Sequence, residues 1–184
     1  VLEPFTETDR QTVHAQLGRI PRAVAGVAYR CPCGKPAVLA TEPRLPDGTP
    51  FPTTYYLTCP RATAAISRLE SDGRMAEQTE RLGQDADLAA GYRAAHEAYL
   101  ADRAAIGSRT VGDVPEIDGI STGGMPERVK CLHALAAHAL AAGPGVNPIG
   151  DEAVAEIGDF WTAPCLAEPA PAAGTTTAPA GERR

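Results

Sequence analysis

The stretch 22-RAVAGVAYRCPCGKPAVLAT-41 decides the fold. Its two ends, 22-RAVAGVAYR-30 and 35-KPAVLAT-41, are β-prone runs of strand length, and only Cys31, Pro32, Cys33 and Gly34 lie between them. So short a link, relaxed by Gly34, turns one strand back on the other. It also points two thiols at one place, where backbone N–H groups can steady a negative charge. A third run, 53-TTYYLTC-59, follows the loop 42-EPRLPDGTPFPT-53. Four prolines and the Asp47-Gly48 pair keep that loop extended and rich in turns. The three runs predict a small antiparallel sheet.

Outward from this sheet the pattern becomes helical. Upstream, 6-TETDRQTVHAQLG-18 offers Thr6 or Thr8 as a cap and Gly18 as a stop; His14 on it has only a surface or packing reading. Downstream, Pro60 fits a first helical position, so 60-PRATAAISRLESDG-73 starts sharply and ends at Gly73. A second short helix is expected over 74-RMAEQTERLGQ-84. The longer 85-DADLAAGYRAAHEAYLADRAA-105 sets Leu88, Tyr92, His96 and Tyr99 on one face, which makes His96 a hydrogen-bonded, partly buried histidine in an aromatic stripe. The stretch 106–124 reads as a loop, either a lid or simply mobile. The next helix is expected over 125-MPERVKCLHALAAHALAAG-143, with Pro126 at its first position and Gly143 beyond its end. Asp151 is expected to cap a last helix, 151-DEAVAEIGDFW-161. Residues 163–184, made of Ala, Pro, Thr and Gly, predict a disordered tail in which Cys165 is an incidental thiol. The fold class is therefore α+β: a small N-terminal antiparallel sheet packed against a larger helical part, one domain over residues 1–162.

Charge and composition narrow the function classes. Seventeen basic against 23 acidic side chains leave a formal charge of -6, which argues against general affinity for nucleic acid or anionic membrane. Aromatic residues at 5% are too sparse for a base-stacking platform. The acidic start "VLEPFTETDRQ" carries no apolar run, and no stretch has the length of a membrane-spanning helix. A cytoplasmic location is the expectation. In a reducing compartment, cysteines serve as metal ligands, catalytic thiols or packing residues more often than as disulfides.

With Cys165 set aside, Cys31, Cys33, Cys59 and Cys131 remain. Cys59 ends a strand just before a helix, where unsatisfied N–H groups favour a thiolate. On a helix running from Pro126, Cys131, Leu135 and His138 share a face at 100° per residue while His133 falls opposite. Cys131 and His138 would stand about 10 Å apart along the axis, at ~1.5 Å per residue, too far to share one tetrahedral ion. Such a helix supplies one ligand, Cys131, with His133 and His138 as substitutes. Four thiolates from Cys31, Cys33, Cys59 and Cys131 suit zinc in a mainly structural role. An iron–sulfur cluster would use the same ligands, and the plainest reading has no metal at all, the cysteines being packed or catalytic. An enzyme is the alternative, with Cys33 or Cys59 as nucleophile, His133 as general base and Asp151 as orienter, or with a metal-bound water, acting on a small and in one version phosphorylated substrate. An anion site is a further alternative: 123-GGMPERVK-130 sets glycines and N–H groups at a helix start, with Arg128 and Lys130 nearby and Arg44 on the proline-rich loop. The plainer version of that segment is a flexible approach to a helix with solvated charges, and of the proline-rich loop a rigid crossover burying Phe51.

Five segments together, "YRCPCGKPAV", "TEPRLPDGTPFPTTYYLTCP", "SRLESDG", "GMPERVKCLHALAAH" and "GPGVNPIGDE", resemble the bacterial domain-of-unknown-function family 501 over roughly residues 8–161. The resemblance implies no established activity. Its hallmark segments hold Cys31, Cys33, Cys59, Cys131 and His133, and its members are encoded near a septum-formation coiled-coil protein, enolase and an exopolyphosphatase. That setting permits a third reading, an adaptor in a division or envelope complex that meets a protein partner through its acidic surface and tail.

Overall fold

The computed structural model describes residues 1–158 and 160–166. The chain runs α1 (Glu7–Leu17), β1 (Val24–Arg30), β2 (Pro36–Thr41), β3 (Tyr55–Leu57), α2 (Pro60–Ser71), α3 (Arg74–Gln84), α4 (Ala86–Gly107), α5 (Leu132–Ala142) and α6 (Pro148–Ile157). The three strands form one antiparallel sheet in the order β1-β2-β3, with β2 central. The architecture is α+β, as the strand and helix patterns predict.

Thr6 caps α1 in a capping box with Asp9: the Asp9 N–H donates to Thr6 Oγ1, and the Thr6 N–H to Asp9 Oδ2, both at 3.1 Å. Asp9 also receives Arg30 from the end of β1, at 2.8 Å, which ties α1 to the sheet. Val13 of α1 meets Val27 and Leu39 on the outer face, so β2 is covered on both faces and every one of its residues is buried. The N-terminal segment adds a bridge, Glu3 to Val27, along the free edge of β1. Gly26 makes this approach possible, because a Cβ there would stand 2.8 Å from the Glu3 carbonyl oxygen.

The inner face of the sheet carries the larger core. Helix α5, "LHALAAHALAA", is apolar nearly all round and therefore lies inside, packed on β3, α2 and α6. Its crossing with α6 is close enough that a Cβ on Gly150 would collide with the Leu135 carbonyl oxygen and the Ala139 side chain. The α4 stripe is real: Leu88, Tyr92, His96 and Tyr99 are all buried, and His96 Nδ1 pairs with Ser121 Oγ at 2.8 Å. The stretch 106–124 contains one short 3-10 turn, Pro115–Ile117, and is fastened from below by Arg103, whose guanidinium donates to the carbonyls of Ile117, Ile120 and Pro52.

Three boundaries differ from the sequence expectation. Helix α5 starts at Leu132, not at Pro126, because the preceding backbone is committed elsewhere. The Val129 N–H donates to Thr79 Oγ1 of α3, the Lys130 N–H to the Gly123 carbonyl, and Cys131 is extended at φ -157. Asn147, not Asp151, caps the last helix, accepting from the Gly150 N–H at 2.9 Å, with Pro148 in the first turn; Asp151 instead accepts from the Gly145 N–H. Cys165 is buried at 8% exposure rather than adrift. The remainder of the expected tail, residues 167–184, lies outside the described residues, and among those that are described no helix is long and apolar enough to cross a membrane.

Candidate functional site

The turn between β1 and β2 closes on itself. The Cys31 N–H donates to the Lys35 carbonyl at 2.8 Å, the Gly34 N–H to the Cys31 carbonyl at 2.7 Å, and Gly34 sits at φ +80, which a side chain would resist. Both thiols turn inward and collect N–H groups: Cys33 donates its own to Cys31 Sγ, and Lys35 donates to Cys33 Sγ. Cys165 arrives from the far end of the chain with its Sγ 3.6 Å from that of Cys33 and its N–H aimed at the same sulfur. Gln16 of α1 reaches over to hold Cys165 Sγ at 3.5 Å and the Pro36 carbonyl at 2.8 Å. Cys59, fully buried at the cap of α2, belongs to the same apolar cluster and stands near enough to Cys31 and Cys165 for its charge to raise both.

This arrangement sets the thiols apart electrically. Burial pushes Cys33 up, but the N–H groups of Cys165 and Lys35 and the neighbouring thiols bring it down to about 7. Burial raises Cys31 and Cys165, and the nearby sulfurs add to it. The cluster alone therefore holds one thiolate with ease and resists a second. A cation would remove that resistance.

The other sequence-derived residues are elsewhere. Cys131 caps α5 and meets Glu70 and His133, with one ligand atom from each of the three lying within 4.8 Å of the others. Glu70 is eleven residues beyond Cys59 along α2, about 16 Å of helix at ~1.5 Å per residue, so Cys131 is separated from the thiols of the β1–β2 turn by that helix. The expectation that Cys131 and His133 point apart fails because Cys131 is extended and the helical 100° step does not reach it. His133 Nδ1 is 3.1 Å from Glu70 Oε1, and Nε2 faces the Thr63 carbonyl and Ser67 Oγ, both at 3.2 Å. The bond with Cys131, helped by the Glu70 charge, holds His133 up at about 9 against the effect of burial. His138 is in the core between Tyr55 and Tyr99 and meets no thiol among the described residues. A Cys33 or Cys59 nucleophile with His133 and Asp151 is not assembled, since Glu70 takes the place beside His133. For the anion reading, Arg44 is engaged by both oxygens of Glu116 at 2.9 Å, and Arg128 and Lys130 stand exposed on a turn where the N–H groups of Met125, Arg128, Val129 and Lys130 are already bonded.

A model of the family described as "Protein of unknown function (DUF501)" matches residues 27–155, more than half of the chain. The chain belongs to that family. No curated protein and no solved structure matches it. In this DUF501 member, both constellations draw on the matched span: Cys31, Cys33 and Cys59 at one end of α2, and Glu70, Cys131 and His133 at the other. Cys165 lies beyond it. Sequence reasoning missed Glu70 because nothing local marks it; its Oε1 reaches across 62 positions to the Leu132 N–H at 2.7 Å. Cys165 was legible only as a fifth cysteine in a Pro-rich context.

Proposed function

We propose that this DUF501 member is a zinc-binding protein, its sheet, α2 and C-terminal segment fastened by a thiolate centre of Cys31, Cys33, Cys59 and Cys165. The observation that carries this is the 3.6 Å separation of Cys33 and Cys165. Two thiolates at ~2.3 Å from a tetrahedral zinc ion stand about 3.8 Å apart, close to this separation, and Cys31 and Cys59 lie in the same apolar cluster. Support also comes from the N–H groups already aimed at Cys31 and Cys33, which orient and stabilise ligand thiolates as outer-shell partners do. A dication draws off the protons that burial otherwise keeps on Cys31 and Cys165, so ion binding and the packing of the C-terminal segment are one event. The role is structural: four sulfurs complete a tetrahedron and leave no position for substrate.

Metal analysis of protein purified without oxygen tests this. Zinc and no colour are expected, with the zinc of this centre lost in Cys33→Ser and in Cys165→Ser. Serine at Cys165 is expected to lower thermal stability as strongly as a chelator does. A brown protein containing iron and sulfide would replace zinc by a cluster, and variants at Cys33 and Cys165 with unchanged metal content would refute the centre.

A further inference from the structure

At the opposite end of α2, we propose a second divalent-cation site, independent of the thiolate centre, formed by Glu70, Cys131 and His133 with one coordination position open to solvent. The case begins with the histidine tautomer. Nε2 lies 3.2 Å from the Thr63 carbonyl, which only accepts, so this nitrogen carries a proton. Nδ1 is left to face Glu70 Oε1 at 3.1 Å, and two acceptors at that distance require a cation between them. A proton on Nδ1 serves Glu70 and, through the imidazolium, Cys131. A divalent ion in place of that proton would take one ligand atom from each of the three, and these already lie within 4.8 Å of one another.

The surroundings fit such an ion. A metal-ligating histidine characteristically donates its other N–H to a carbonyl, as His133 does to Thr63. The Leu132 N–H, 2.7 Å from Glu70 Oε1, steadies the carboxylate in the same manner. One sulfur, one nitrogen and one oxygen suit zinc or a neighbour in its row rather than calcium or magnesium. Three protein ligands leave a fourth place, and side-chain exposures of 25% for His133 and 21% for Glu70 put it within reach of water. The N-terminus of α5 beside it favours an anionic oxygen there.

Zinc stoichiometry and cobalt spectra of the full chain test the assignment. Wild type is expected to hold about two zinc ions per chain, and His133→Gln and Glu70→Gln about one each. Cys33→Ser is expected to keep one, and in that variant added Co2+ shows weak single-thiolate charge-transfer absorption. Glu70→Gln preserves shape, so the comparison survives if His133→Gln folds poorly. If wild type holds one ion, lost with Cys33 and indifferent to both His133 and Glu70, the second site is overturned while the thiolate centre stands. If the single ion follows His133 and Glu70 and ignores Cys33, the thiolate centre is overturned and this site stands.

Discussion

His138 shows what burial does to one titratable group. It is fully buried, stacked on Tyr55 and set edge-on to Tyr99, with ring centroids 5.8 and 5.2 Å away. Asn147 Nδ2 donates to its Nδ1 at 3.2 Å, an orientation fixed because Asn147 Oδ1 already accepts from Gly150. The proton therefore rests on Nε2, which has no partner among the described residues. Burial pushes the ring down to about 4, from 6.5 in an open chain. Between those values the unfolded chain takes up a proton that the native one refuses. The contribution of His138 to stability is thus complete above pH 6.5 and falls as pH drops toward 4, with a slope approaching ~1.4 kcal/mol per pH unit. Denaturant melts from pH 7 to 4.5 check this. His138→Gln is expected to flatten that slope, and an unchanged slope would show that another group carries it.

Among the elements, the long connection 106–124 depends on Arg103 of α4. Burial lowers the guanidinium from its ordinary value, and three carbonyls rather than a carboxylate surround it. Arg103→Met takes its partner from the Ile120 carbonyl and one of two donors from those of Ile117 and Pro52. It is expected to cost about 2–4 kcal/mol and to speed hydrogen exchange across residues 113–122. Exchange unaltered in that stretch would mean the loop holds itself. The same elements show what the chain discloses on its own. Pro60, Thr6 and the Leu88–Tyr92–His96–Tyr99 stripe are local signals, and the helices they mark form where they indicate. The start of α5 is not local: Thr79, fifty positions earlier, takes the Val129 N–H. That one tertiary bond helps keep Cys131 out of the helix and sets it beside His133.

For the whole molecule, helix α2 is the spine of both proposed sites. Cys59 at its start serves one and Glu70 near its end the other, so the helix fixes the distance between them. The sheet hairpin with its Cys31–Cys33 turn was readable because strand, turn and thiol chemistry lie within twenty residues. Cys165 was not, since its place depends on the chain returning past Phe160 and Trp161 to Gln16 and Cys33, which no periodicity encodes. The zinc proposal rests on that return. Zinc-edge X-ray absorption on the His133→Gln variant, which isolates the thiolate centre, tests it most directly. A shell of four sulfurs at about 2.3 Å is expected, and no zinc when Cys165→Ser is added. A shell dominated by nitrogen or oxygen at about 2.0–2.1 Å, or one indifferent to Cys165, would contradict it.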